Sequence, residues 1–267
     1  MNVLKLSFIF PILFSVNLYA VSTVISGSID GTLDYSGNSN GYAINSNVEI
    51  LKNASLILGK KNEFFRIGES ARASLRVSGT LETSCRVNLG FDYRSNLTIA
   101  AGGRWVSACK SNNDLGLWLG NGSTFSVQSG GEYVMKKKTA GDSTIYVAPS
   151  GGTISFDSLS NFVIDASEVA MRDGDAISLK IANAYIEKLT VNIGGNSFSG
   201  DNVDAWNQYF TGVKVLGFEG WKQSYSISGS AVYLDLERSA VPEPSMFGLL
   251  AGTLALALAG TRRRRRK

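Results

Sequence analysis

The 267-residue chain contains no histidine. Ser/His/Asp and Cys/His nucleophile arrangements and His-based zinc sites are thereby excluded, because each needs an imidazole as base or ligand. What remains is chemistry by carboxylates, Lys and Arg, which requires an acid, a base and a charge stabiliser converging on one face. Asp92, Asp114 and Asp142 fall in successive inter-strand regions, but at unequal offsets from the aligned apolar positions, so they are not expected to form one cluster. Asp173-Gly174-Asp175 begins like a calcium loop but lacks the alternating ligands and closing Glu, and an Asp-Gly turn accounts for it. The two cysteines, Cys85 and Cys109, have no base to activate a thiol. No catalytic residue, metal ligand or cofactor is assigned.

Binding chemistry is thinly signalled. Asn53, Asn96 and Asn121 each open an Asn-x-Ser/Thr triplet that could carry a glycan in an exported chain. Asn also tolerates left-handed backbone and bonds at turns, which is the preferred reading. Lys136-Lys137-Lys138 reads as a solvated loop, with a polyanion site as the alternative. Trp206 and Trp221 could form a sugar platform, although core packing is the preferred reading of both rings.

The elements that must position these groups are short strands in a repeat. First strands are Phe65-Arg66-Ile67-Gly68, Val87-Asn88-Leu89-Gly90, Leu117-Trp118-Leu119-Gly120 and Ile145-Tyr146-Val147-Ala148. Second strands follow at Ser74–Val77, Asn96–Ile99, Thr124–Val127 and Thr153–Phe156, with apolar side chains two apart, as a strand with one buried face requires. Gly-rich turns at Ser78-Gly79-Thr80, Ala101-Gly102-Gly103 and Ser129-Gly130-Gly131 supply positive φ, and third strands begin at Leu81, Trp105 and Tyr133. An earlier copy is read as Val48-Glu49-Ile50 followed by Ser55–Leu58. The equivalent positions Leu56, Leu75, Leu97, Phe125 and Ile154 are then 19, 22, 28 and 29 residues apart. Coils of that size cannot bury their inward residues alone but can when stacked at roughly 4.8 Å per rung. The fold class is therefore all-β, a right-handed parallel β-helix or solenoid over residues 21–156. An antiparallel β-sandwich is the alternative, since turn signals at 8–12-residue spacing also occur.

The cysteines test this register. Cys85 lies four residues after Leu81 and Cys109 four after Trp105. Stacked rungs would bring them within the roughly 4.4–6.8 Å Cα range of a disulfide; a small apolar pair filling one corner is the other reading. From Asp157 the plan changes, and residues 157–240 read as a β-rich C-terminal cap. Its strands are Phe162–Asp165, Ala176–Ile181 and Leu189–Ile193, then an irregular aromatic stretch and a hairpin around Gly229-Ser230.

Both ends read as addresses. Lys5, the apolar Leu6 to Val16, and Leu18-Tyr19-Ala20 form a secretory signal peptide over residues 1–20. At the other end come Val241-Pro242-Glu243-Pro244-Ser245, an uncharged apolar run from Met246 to Thr261, and Arg262, Arg263, Arg264, Arg265, Arg266 and Lys267. Sixteen apolar residues make about 24 Å of helix, a marginal transmembrane anchor with its basic end held in the cytoplasm. Removing Lys5 and the six terminal cations from the 26 Lys and Arg leaves 19 against 22 Asp and Glu, about −3 for the remainder. The basic face that nucleic-acid binding needs is therefore not supported.

Residues 241–267, in their order of motif, helix and basic end, resemble the PEP-CTERM sorting signal of Gram-negative bacteria, which a membrane-embedded exosortase cleaves near Pro-Glu-Pro. The body resembles, in style, the autotransporter-like β-strand repeats of bacterial surface proteins. The resemblance implies export through the secretion translocon, transient holding in the inner membrane, exosortase processing, and an association with exopolysaccharide and biofilm. The expected destination is the cell surface, outer membrane or extracellular matrix. The chain is accordingly expected to be a non-enzymatic structural or adhesive protein. A β-helix polysaccharide lyase or glycoside hydrolase, and a non-catalytic carbohydrate-binding protein, are the alternatives.

Overall fold

Alternation of apolar and polar residues gives each strand one face to bury, and stacking strand on strand buries it. The computed structural model describes residues 23–238 apart from 38–40, 60–63, 109–114, 138–140, 159–160, 170–175, 182–184, 211–212, 218–220 and 229–230. Each coil lays down one strand in each of three sheets. The first two coils are β1 (Thr23–Val24), β2 (Gly27–Ile29), β3 (Thr32–Tyr35) and β4 (Tyr42–Ile44), β5 (Asn47–Ile50), β6 (Ser55–Leu58). The third and fourth are β7 (Phe64–Ile67), β8 (Ser74–Val77), β9 (Thr80–Thr83) and β10 (Arg86–Leu89), β11 (Asn96–Ile99), β12 (Arg104–Ser107). The fifth and sixth are β13 (Leu115–Leu119), β14 (Ser123–Val127), β15 (Glu132–Lys136) and β16 (Gly141–Val147), β17 (Gly152–Phe156), β18 (Phe162–Asp165). β19 (Ala176–Ile181) and β20 (Leu189–Ile193) begin a seventh.

The sheets run β1-β4-β7-β10-β13-β16-β19, β2-β5-β8-β11-β14-β17-β20 and β3-β6-β9-β12-β15-β18, so every strand pairs with its equivalent one coil away. All of these pairs are parallel, and the stack is an all-β, solenoid-like arrangement of parallel sheets. It is not an antiparallel sandwich: among the described residues antiparallel pairs occur only at the end, where the coil plan stops. Parallel stacking continues through Ile193, past the change of sequence pattern at Asp157.

The register follows the sequence alignment over most of its length. Phe65, Val87, Leu117 and Ile145 are mutual partners down the first sheet. Leu75, Leu97, Phe125 and Ile154 are partners down the second, and Leu81, Trp105 and Tyr133 down the third. The earliest copy is different. Leu56 pairs with Leu33 and Leu81 in the third sheet, and Val48 is the true partner of Leu75. Its turn lacks the paired glycines of later coils, and Asn53, at φ 68°, takes the left-handed position held by Gly102 and Gly130 at 77°. Gly103 serves a different need from positive φ, since a Cβ there would sit 1.9 Å from the Val77 carbonyl oxygen of the preceding rung.

Inward residues of all three sheets form one continuous core. At its centre Trp105, Phe125 and Tyr133 contact one another at centroid distances of 4.7 to 5.3 Å, and Tyr133 stacks on Phe162 at 5.3 Å. Burying each such side chain contributes about 1.5–3 kcal/mol, available only when the next rung covers it.

Beyond β20 the chain turns back at Gly194-Gly195 into β21 (Asn196–Ser199), antiparallel to β20. A helix not expected from sequence follows, α1 (Val203–Tyr209), with Asn202 Oδ1 accepting from the Ala205 amide at 3.0 Å. Seven residues are too few for helical periodicity to stand out. β22 (Lys214–Leu216) then pairs with β18 in the third sheet. The expected hairpin forms from β23 (Trp221–Ser228) and β24 (Ala231–Arg238), and β24 lies antiparallel along β19.

Candidate functional site

Because Phe65 and Ile67 point into the core, Arg66 between them points outward, and the same alternation turns out Asn88, Trp118 and Tyr146. Strand pairing sets Ala43, Arg66, Asn88, Trp118 and Tyr146 in one row on the outer face of the first sheet. The Trp118 and Tyr146 rings stand on adjacent rungs with centroids 6.3 Å apart and planes 12° from parallel. Phe91, from the loop after β10, flanks the indole at 6.1 Å. The Arg66 guanidinium lies 4.6 Å from the centre of the Phe91 ring and 5.4 Å from that of Phe64, and it is ion-paired to Glu69. Trp118, Tyr146 and Phe91 are half-buried.

Three details set this row apart from ordinary surface. A Cβ on Gly120 would stand 2.5 Å from the Trp118 Cη2 atom, so the missing side chain is what seats the indole. Asn88, 5% exposed, has a buried Oδ1 with no hydrogen-bond partner. Arg66 Nε, on the registered neighbour of Asn88, is likewise buried and unpartnered. Each orphaned polar atom costs about 1–3 kcal/mol unless something satisfies it.

The outer face of the third sheet holds a groove of about 320 Å³ lined by Glu82, Arg104, Lys136 and Asp165 over an apolar floor that includes Ile57 and Val106. Four charged groups in one groove were not foreseen from the spacing of Asp92, Asp114 and Asp142. Both cations are engaged: Arg104 Nε lies 2.8 Å from Glu132 Oε2, and Lys136 Nζ 2.5 Å from Glu168 Oε1. The bond to Glu168 holds the Lys136 ammonium above its ordinary pKa, assisted by the charges of Glu168, Asp165 and Glu82. Asp165 Oδ1 accepts from the Ser167 amide and hydroxyl. Among the described residues no three Asp, Glu or Cys side chains gather in a way that could hold a metal ion.

The residues singled out from sequence fare unequally. Lys136 and Lys137 do not form a solvated loop: Lys136 ends β15 in its ion pair, and Lys137 is 4% exposed with its amide bonded to the Asp165 carbonyl. Lys138 lies outside the described residues. Asn53 and Asn121 are in left-handed backbone, and Asn121 Nδ2 donates to the carbonyls of Gly90 and Phe91, whereas Asn96 opens β11. Trp206 is a core residue, its indole N–H donating to the Gly200 carbonyl at 2.6 Å; the Trp221 side chain lies outside the described set.

Asp92 is exposed, while Asp114, Asp173, Gly174 and Asp175 lie outside the described residues, as does the side chain of Asp142. Cys85 is buried in the core, and the register leading to it, Leu81 with Trp105 and Thr83 with Ser107, is the one aligned; Cys109 lies outside the described residues. Outside them also are residues 1–20, Val241 to Ser245, the apolar run and Arg262 to Lys267. No helix among the described residues is long and apolar enough to cross a membrane.

Sequence reasoning missed the row Arg66, Asn88, Trp118 and Tyr146, although reading down the middle position of the four first strands would have found it. No protein family, curated protein or solved structure matches this chain.

Proposed function

We propose that the chain is an exported structural or adhesive protein of a Gram-negative cell surface or extracellular matrix, associated with exopolysaccharide. In this reading residues 1–20 direct export, and 241–267 hold the chain in the inner membrane until an exosortase cleaves near Pro242-Glu243-Pro244. The coils wind right-handed, the hand that strand, crossover and parallel strand connections adopt. β21 to β24 cap the last rungs, which would otherwise offer unpaired edges to other chains. Cys85 and Cys109 fall at the same offset in consecutive coils of the sequence, a bond between them belongs to this reading, and non-reducing peptide mapping detects it.

The observation that supports a surface role most directly is the in-register stack itself: it spreads a repeating outer face over successive rungs, a shape suited to extended polymers rather than to one enclosed substrate. The alternative, a lyase or hydrolase, draws on the groove of Glu82, Arg104, Lys136 and Asp165. Among the described residues its two cations are already committed to Glu132 and Glu168, which leaves neither of them unpaired to stabilise developing negative charge. Intact-mass analysis of surface-extracted protein tests the sorting reading: the mature chain should end near Ser245, and retention of Arg262 to Lys267 in a host with active exosortase overturns it. Turnover of polysaccharides that disappears in Glu82→Gln or Asp165→Asn would replace the adhesive reading with the enzymatic one.

A further inference from the structure

We propose that the first coil is an interface for a second copy of this chain, joined head to head by antiparallel pairing of β3 with β3 of that copy. The inference rests on the export reading above, which removes residues 1–20. Register places Leu33 in the inward column of Leu56, Leu81, Trp105 and Tyr133. Those four are fully buried, whereas Leu33 is 38% exposed. In the second sheet the column of Val48 and Leu75 begins at Gly27, where a Cβ would meet no atom within 4 Å. The core is therefore open at its first rung. Backbone groups are open there too, since among the described residues β1, β2 and β3 are each the edge strand of their sheet. The Gly31 carbonyl accepts from the Ser55 amide of the next coil, so alternation turns the Thr32 and Asp34 N–H and C=O groups to the unpaired side.

The occupant follows from what each end offers. Cleavage after Ala20 leaves only Val21 and Ser22 ahead of β1, too few to lay a covering strand over three sheets. A head-to-tail neighbour has no flat seat: at the far end the first sheet runs two strands past β19, the second one strand past β20, and the third stops at β22. One first rung meeting another remains, and a two-fold axis across the stack makes the facing strands antiparallel. β3 is the longest of the three edges and carries the exposed leucine. Its parity sets Leu33 opposite Leu33 of the second copy, with Thr32 and Asp34 exchanging backbone bonds on either side. A slip that set Asp34 opposite Asp34 would juxtapose two carboxylates, which disfavours it. In the favoured register the leucines meet with Cα atoms about 4.5 Å apart and close one core shared by both copies.

The test uses the chain isolated in detergent from the cells that make it, with its first residue read by intact mass. Sedimentation equilibrium should show a dimer at micromolar concentration. Leu33→Lys should weaken dimerisation by more than about tenfold and leave the β-sheet dichroism unchanged, because the side chain is exposed in the single chain. Thr32→Pro removes an edge N–H but no bond within the stack, and should do the same. Leu33→Cys should give a disulfide-linked dimer under mild oxidation that wild type does not form, since the Cα spacing lies in bonding range. A monomeric wild type, dimers that survive both Leu33→Lys and Thr32→Pro, or a Leu33→Cys chain that stays unlinked overturns the proposal. Processing is read apart from association. A monomer beginning at Val21 removes this interface alone, a dimer that still carries residues 1–20 removes the export reading alone, and a monomer that carries them removes both.

Discussion

The Ser95 amide donates to Ser123 Oγ across 2.8 Å, linking the corner before β11 to the start of β14 one coil away. Ser95 Oγ in turn accepts from the Ala73 amide at 3.1 Å and donates to the Tyr93 carbonyl at 3.0 Å, so two buried hydroxyls fasten three successive corners. A serine suits this position because it satisfies an amide that the turn withdraws from the strand ladder. Ser123→Ala leaves the Ser95 N–H buried without an acceptor and should cost about 1–3 kcal/mol. Urea titration monitored by β-sheet circular dichroism checks this; an unchanged midpoint would mean that the corner relaxes or admits water.

At the other corner of the coil, the Lys136–Glu168 bond gives the fold an alkaline limb. A raised lysine pKa means the folded state holds its proton more tightly than the unfolded chain. The pair's stabilisation is therefore complete below the ordinary lysine value of 10.5 and is lost as pH rises through the higher folded value. Lys136→Met should narrow its stability gap to wild type as pH climbs past that point. Both side chains are partly exposed, 30% and 49%, so added salt should shrink the gap at neutral pH as well. Denaturant midpoints over a pH series, at low and high salt, measure both trends.

The stack was legible where its signal is local. Two apolar residues two apart recur in four coils, followed by glycine in the first three, and pairing puts Leu75, Leu97, Phe125 and Ile154 together as read. The reading slipped by one strand at Leu56 because Ser55–Leu58 carries the same alternation as a second strand, and only the backbone of Asn53 marks the turn before it. The outward row was invisible for a related reason. Periodicity reports which residues face in, whereas Arg66, Asn88, Trp118 and Tyr146 share no residue type, and only register makes them neighbours. Glu82, Arg104, Lys136 and Asp165 likewise come from four coils and meet only once the third sheet is stacked.

Asn121 has a specific structural demand on it. Its φ of 52° is left-handed, and its Nδ2 donates to Gly90 and Phe91 carbonyls at 2.9 and 3.0 Å. Asn121→Ala loses both bonds and places an ordinary residue in left-handed backbone, so it should cost about 1.5–3 kcal/mol. Asn121→Gly loses the bonds but not the backbone freedom, and should cost less. The same engagement of Nδ2 predicts that Asn121 carries no glycan, which mass spectrometry of the exported protein checks directly.

Two tryptophans should contribute very unequally to stability. Trp206 is 2% exposed, stands 4.7 Å from Phe210 and 5.3 Å from Phe198 between ring centroids, and its N–H reaches the Gly200 carbonyl. Trp206→Ala removes core volume at the end of the stack and should cost about 3–5 kcal/mol. Trp118 lies on the outer face, half-buried over Gly120, where truncation opens no internal cavity. Its loss should cost well under half as much. The melting temperature should therefore fall far more for Trp206→Ala than for Trp118→Ala. If Trp118→Ala proves the more destabilising of the two, the outer row carries more of the stack's stability than the core at its end.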